Sequence, residues 1–288
     1  MYLPFILVVF FVFGLMFGSF ANVVIWRLPR KDSLAFPSSH CPQCNAPLKS
    51  YDNIPVISYL MLGGKCRYCK NPISIRYPIV EILGALCFAI TPLICTNLVQ
   101  ALFCSFFLYL LLILSWIDFD TKKLPNLLVG LLAILGVIGV GLSYIPLPSA
   151  LDFYWVHSFN AKGVLPFFTD LTPDAADPLI TALIGILVSA GPAALIAFIY
   201  QLVAKKQGFG MGDIKLLAVE GIFIGAYGAL ILPTAAIIAL LGIIIARLSN
   251  RTVSLSMKIP FGPFIALGSF VILVGGPQLW SWYINALM

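Results

Sequence analysis

Eight apolar runs, each close to the length a helix needs to cross hydrocarbon, occupy most of this chain: 3–26, 78–97, 99–117, 125–143, 179–203, 214–229, 230–248 and 260–284. A bilayer core of about 30 Å takes roughly 20 residues of helix. Backbone in hydrocarbon must satisfy its own hydrogen bonds, so helices joined by short polar loops are what such runs allow. The composition agrees, with 61% hydrophobic and only 10% charged residues, too few charges for a soluble surface. The expected fold is an all-α polytopic membrane protein with about eight transmembrane helices.

The first run has no Lys or Arg ahead of it and is followed at once by Arg27, Arg30 and Lys31. A cleavable secretory signal has the reverse flank and a shorter apolar stretch, so residues 1–26 are expected to remain as a first helix with its N-terminus outside. Segments 27–77, 118–124, 204–213 and 249–259 then face the cytoplasm. Every Lys and Arg except Lys162 lies in them or within a few residues, as the positive-inside rule requires. The loop 144–178 holds Asp152, Asp170, Asp174 and Asp177 against that one lysine, and Pro146, Pro148, Trp155, Phe167 and Phe168 suit a segment at the interface. The formal charge of +6 is spread over short loops, which reports orientation rather than polyanion binding. Lipid is the expected surrounding, and no nucleic acid is expected as a partner. No internal repeat is evident.

Within 27–77, CPQC at Cys41–Cys44 and CRYC at Cys66–Cys69 form two CxxC pairs. Each can make a tight turn that aims two sulfurs at one metal, and four thiolates close the coordination of zinc without an open position, the mark of a structural site. A loop too short for its own core needs such a staple. The alternative is two disulfides, against which the reducing cytoplasmic side argues. Cys87, Cys95 and Cys104 lie in or beside apolar runs and are expected to be small buried hydrophobes.

Two acids stand at the ends of apolar runs. SWIDFDTKKLPN places Asp118 at the end of the third, with Asp120 just beyond, and GFGMGDIK places Asp213 at the start of the sixth. Ionisable groups at the edge of hydrocarbon are functional candidates. Gly210 and Gly212 let another chain approach closely, and free N–H groups of a helix start can hold Asp213. Two carboxyls sharing a partly desolvated site cannot both ionise easily, which divides them into a general base that activates water and a general acid that polarises a carbonyl and helps an amine leave. A helix cap for Asp213 and a loop charge for Asp118 are the plainer readings. A proton-coupled transporter is the rival class, and the intramembrane Glu220 would suit it better; no role is assigned to that residue.

These residues together resemble a known family, the prepilin peptidases, bifunctional leader peptidases and N-methyltransferases of type IV pilus and type II secretion systems. The similarity runs over nearly the whole chain: GSFANVVIWRLP from Gly18, the CxxC pairs, NIPVISYL from Asn53, ISIRYPIVE from Ile73, IDFDTKKLPN from Ile117, GMGDIKLLA from Gly210 and KIPFGPFIALG from Lys258. The resemblance implies a GxGD aspartic peptidase with Asp118 and Asp213 as the catalytic pair, Asp120 being the less suited partner. It implies cleavage of the basic leader of prepilins or pseudopilins after a glycine, at the cytoplasmic face of the bacterial inner membrane, then methylation of the new amine from S-adenosylmethionine. Proteolysis would need no metal, and the cysteine loop would bind zinc and go with methylation. The domains expected are a first helix (1–26), a cytoplasmic zinc-binding insertion (27–77) and a membrane-embedded peptidase (78–288). No glycine-rich fingerprint for the methyl donor is present; Asn22, Arg27, Arg76 and Glu81 are candidates, with membrane anchoring and helix bonding as their plainer roles. The chain departs from the family at Asn126, where many relatives carry an acid, and at Glu220, where a small or apolar residue is expected.

Overall fold

The structure, a computed structural model, describes residues 3–95, 97–145, 177–205, 209–248 and 260–287. The expectations for Asp152, Lys162, Asp170 and Asp174, and for the prolines and aromatics of that loop, fall outside the described residues, as do Gly208 and Lys258. Every regular element among the described residues is helical: α1 (Leu3–Arg27), α2 (Ile57–Met61), α3 (Arg76–Ala89), α4 (Thr91–Ile94), α5 (Leu98–Thr121), α6 (Asn126–Leu142), α7 (Pro178–Ala204), α8 (Met211–Ile224), α9 (Ile231–Leu248) and α10 (Gly262–Leu287). The chain divides into two compact units, Met1–Leu93 and Ile94–Met288.

In the first unit α1 and α3 pack antiparallel, with Asn22 against Tyr77, Gly18 against Glu81 and Gly14 against Ala85. The contact is backbone to backbone. A methyl group on Gly18 would come within 2.7 Å of Glu81 Cα, and one on Gly84 within 2.8 Å of Gly18 Cα. Between apolar helices in lipid, association depends on such close packing rather than on expelling water. Phe17 stacks on Phe88 at 5.3 Å alongside it.

In the second unit α5 forms the centre, with Leu111, Ile113, Leu114 and Ile117 buried and Phe107 tilted on Phe223 of α8 at 4.5 Å. Helices α7 and α8 cross at Gly185 and Gly221, where a methyl on either would run into the other's carbonyl. Ser189 Oγ donates to Leu217 O at 2.8 Å beside that crossing. Gly225 takes φ +60° and ψ −143°, open only to glycine, and ends α8; a 3-10 turn, Gly225–Leu230, leads into α9. Outward residues of α7, among them Leu187, Leu195, Phe198 and Leu202, are exposed, as a lipid-facing surface requires.

Five stretches are long and apolar enough to cross a membrane: Leu3–Arg30, Arg76–Ile94, Leu98–Thr121, Pro178–Ala204 and Met211–Leu248. Asn126–Leu142 and Gly262–Gly276 are apolar but shorter. The helices fall on the runs read from the sequence, but the sixth and seventh join through the 3-10 turn, and α10 is kinked at Gly275 (φ −135°, ψ 16°). One boundary differs from expectation. Asp120 lies inside the last turn of α5 rather than beyond it, because the helix runs on to Thr121 and stops only where Lys122 turns left-handed and donates to Asp118 O at 2.8 Å.

Candidate active site

Asp118 sits in the last turn of α5, where the backbone offers carbonyls rather than N–H groups. Its carboxyl therefore takes its donor from elsewhere: the backbone N–H of Gly262, the first residue of α10, donates to Asp118 Oδ2 at 2.9 Å. Asp118 is only 5% exposed. A methyl on Gly262 would stand 2.8 Å from that oxygen, so the position has no space for a side chain.

Asp213 lies in the first turn of α8, with Gly210 as N-cap. A methyl on Gly210 would approach Asp213 Oδ2 to 2.8 Å, so the carboxyl is folded against the bare glycine backbone. Three segments converge here. Gly212 faces Leu124, with 3.3 Å left for a methyl; Lys215 Nζ donates to Asn126 Oδ1 at 3.2 Å; and the rings of Phe209 and Phe261 meet edge-on at 5.6 Å. The start of α8 is thus pressed against the loop after α5 and against the entry to α10. Asp118 and Asp213 therefore lie on segments that converge, whereas Asp120 is exposed. Asn126, the departure from the family, keeps a hydrogen bond to Lys215 where an acid would form an ion pair.

Two groups here carry no role in the sequence reading. Gly262 lies in the KIPFGPFIALG motif, and its signal is a glycine wedged between Phe261 and Pro263 where an apolar helix begins. Glu220 lies two turns after Asp213 on α8, is fully buried and accepts from Ser269 Oγ at 2.7 Å.

The sulfurs of Cys41, Cys44, Cys66 and Cys69 all lie within 4.8 Å of one another, Cys41 and Cys69 at 3.9 Å, and all four are free thiols. Zn–S bonds of 2.3 Å in a tetrahedron put sulfurs about 3.8 Å apart, so the four residues fit a zinc ion. Two copies of one turn build this cluster, correcting the expectation of no repeat. Cys41 N–H donates to Ala46 O and Asn45 N–H to Cys41 O; Cys66 N–H donates to Asn71 O and Lys70 N–H to Cys66 O, all between 2.8 and 3.0 Å. Asn45 and Lys70 are both left-handed. CPQCNAPL and CRYCKNPI carry the repeat as CxxCxxP, disguised by unlike residues between. Backbone N–H groups of Cys69 and Tyr68 bring the Cys66 thiol down to about 7. At Cys69 the N–H of Asn71 pulls the other way, but burial and the three neighbouring sulfurs push the thiol up to about 11.

The cysteine turns are tied down locally. Arg67 Nε pairs with Asp52 Oδ1 at 2.7 Å, the arginine side chain 42% exposed and the aspartate 2%. Arg27 donates to Ser33 O at 3.0 Å and Pro37 O at 2.6 Å. Asn22 donates to Tyr77 O at 3.1 Å. Glu81 accepts from Ser19 and from the N–H of Val56 at 2.7 Å. Val56 itself has φ +61° and ψ −47°, with Ile57 N–H bonded to Pro55 O at 2.6 Å, a γ-turn that strains a β-branched residue. Asn22, Arg27 and Glu81 are therefore engaged in the unit's own fold, and none of them is assigned to a methyl donor. Cys95 and Cys104 are buried and Cys87 half-buried, in keeping with small apolar groups.

Residues 12–94 match the bacterial peptidase A24 N-terminal domain, and residues 105–247 match the type IV leader peptidase family. The chain is 31% identical over 306 aligned residues to a prepilin leader peptidase/N-methyltransferase of Aeromonas salmonicida, covering 96% of this chain and 94% of that one. It is 32% identical to a protein of that name in Pseudomonas aeruginosa (94% and 91% covered). It is 33% identical to the type 4 prepilin-like proteins leader peptide-processing enzyme of Escherichia coli (88% of each). No solved structure matches the chain. With similarity of this extent over both parts of the molecule, the chain belongs to the type IV leader peptidase family.

Proposed function

We propose that this protein removes the leader peptide from type IV prepilins or pseudopilins by a two-aspartate mechanism and then methylates the new N-terminus. The observation that supports the proteolytic half is the convergence of the helix ends that carry Asp118 and Asp213, one acid gripped by the N–H of Gly262 and the other packed on Gly210. One carboxylate takes a proton from water as it attacks the scissile carbonyl. The other, protonated, donates to the carbonyl oxygen, and a proton passes to the departing amine. No protein cation pairs with either acid among the described residues, and Asp118 Oδ2 takes its hydrogen bond from main chain, so neither acid is tied up in an ion pair.

The substrate class suits this placement. A prepilin joins a basic leader to an apolar helix, so a helix seated in the bilayer presents the scissile bond at the cytoplasmic boundary, where the charge pattern puts residues 118 and 213. The protein is read as an enzyme of the bacterial inner membrane with about eight crossings, a zinc-binding insertion at 27–77 and a peptidase at 78–288. When bound, zinc supplies a covalent-like crosslink to the insertion and no chemistry to peptide cleavage. Methylation, with S-adenosylmethionine as donor, rests on the names of the relatives. No observation favours the transporter.

The experiment is mass spectrometry of a candidate pilin's N-terminus after incubation with the enzyme and S-adenosylmethionine. Loss of the leader reports proteolysis and a further 14 Da on the new terminus, about one CH₂ for one hydrogen replaced by methyl, reports methylation. An uncut pilin that remains intact with enzyme known to be folded would refute the assignment.

A further inference from the structure

Helices α8 and α10 run side by side in the same direction: Phe209 meets Phe261 ahead of their first turns, and further along Glu220 meets Ser269. The spacing on the two helices is equal. Glu220 follows Asp213 by seven residues, and Ser269 follows Gly262, the residue that holds Asp118, by seven. Seven residues are two helical turns, about 10.5 Å along the axis and nearly the same face. The Glu220–Ser269 bond therefore joins α8 to α10 two turns beneath the level of Asp213 and Gly262.

That bond is built from an unfavourable group. Glu220 and Ser269 are both 0% exposed, Ser269 Oγ donates to Glu220 Oε2 at 2.7 Å, and Glu220 Oε1 has no partner. A buried carboxyl with an unsatisfied oxygen destabilises a fold, and an apolar side chain would fill the space at lower free energy. Packing alone does not explain it. On its opposite side α8 is fixed to α7 by the glycine crossing and by Ser189, and α10 packs on α9 where Gly268 faces Ile231 and Ala235. Neither contact joins α8 to α10; beyond the Phe209–Phe261 contact at their entries, the Glu220–Ser269 hydrogen bond does.

We propose that the Glu220–Ser269 hydrogen bond is a positioning clamp for peptide cleavage, fixing the rotation and register of α8 against α10 and so the separation of the Asp213 and Asp118 carboxyls. The clamp deepens the two-acid reading and rests on it. Glu220 touches no substrate; it acts through Asp213, and Ser269 acts through Gly262.

The test measures leader cleavage and thermal unfolding of the full-length enzyme in membranes for Glu220→Leu, Ser269→Ala, the double variant and Glu220→Gln. Glu220→Leu is expected to melt at or above the parent temperature while kcat falls about 10- to 100-fold with KM little changed, the size of effect that a misplacement of about 1 Å produces. Ser269→Ala is expected to lower kcat in the same way, and the double variant to lose no more than the worse single one, because both remove one bond. Glu220→Gln keeps an acceptor for Ser269 and is expected to restore kcat to within about threefold, with the pH–rate profile unmoved. Full kcat in Glu220→Leu, losses that multiply in the double variant, or a kcat that falls only as far as the melting temperature does would each overturn the clamp. A displaced pH profile in Glu220→Gln would overturn it too, by assigning the effect to charge. Asp118→Asn and Asp213→Asn run in parallel separate the two failures: activity kept there removes the two-acid reading, whereas activity lost there but kept in the clamp variants removes the clamp alone.

Discussion

At the cysteine cluster the backbone bonds that shape each turn close within a few residues, from Cys41 to Ala46 and from Cys66 to Asn71, whereas the bond that holds Asp118 spans 144 positions to Gly262. The first centre needs only that two short loops meet. The second needs three helix ends, those of α5, α8 and α10, to be delivered to one place by packing along their whole length. Local closure makes the cysteine site indifferent to changes in distant helices, and four thiolates this close would depend on a metal to hold them. The acid site has the reverse sensitivities: it depends on glycines and on contacts between distant helices.

The largest expected effect would break the comparison outright. Asp118→Asn and Asp213→Asn should each lower leader cleavage by on the order of 10⁴-fold with the protein still inserted, measured on prepilin in membranes; retained cleavage in either would mean the acids do not act as a unit. Next, Cys41→Ser combined with Cys66→Ser should abolish bound zinc, measured on the purified protein, while leaving leader cleavage in place, since all the contacts of the acid pair described above lie within residues 118–262. Unchanged metal content would remove the tetrathiolate site. Gly262→Ala should lower kcat about 10- to 100-fold, because the new methyl would meet Asp118 Oδ2 at 2.8 Å. Full activity there would show that the start of α10 yields freely.

The smallest effect lies at the feet of the loop between α6 and α7. Tyr144 O–H donates to Asp177, and with Leu179 N–H this holds the Asp177 carboxyl below its usual range. A folded value below the unfolded one means the contribution is complete above about pH 4 and is lost as pH falls through the folded value. Tyr144→Phe should therefore lower the melting temperature at pH 7 by about 2 °C or less, and by less again in acid, for a pair this exposed. A constant difference across that range would put the effect in packing rather than in the hydrogen bond.

The sequence made the cysteine ligands readable because their chemistry is contained in spacing. It made the helix positions readable because apolar length is nearly sufficient in a membrane. Asp213 at the start of α8 followed from glycine before an apolar run. The end of α5 did not follow, because the charges at 118–123 look like a loop whereas the helix stops only at the left-handed Lys122. Gly262 and Ser269 were out of reach for a different reason: each acts on a residue of another helix, and nothing in the local pattern around a glycine or a serine names a partner so far along the chain. The two-fold repeat of the cysteine turns was in plain letters, but its backbone identity is masked by side chains that differ at nearly every other position.

Asp118 is gripped by main chain, not by a side chain. Every amino acid except proline would bring the same N–H to position 262, so mutation there alters elbow room and leaves the donor itself in place. The donor is thereby indifferent to side-chain chemistry, and the constraint that drift meets at residue 262 is one of volume, already breached by a single methyl group.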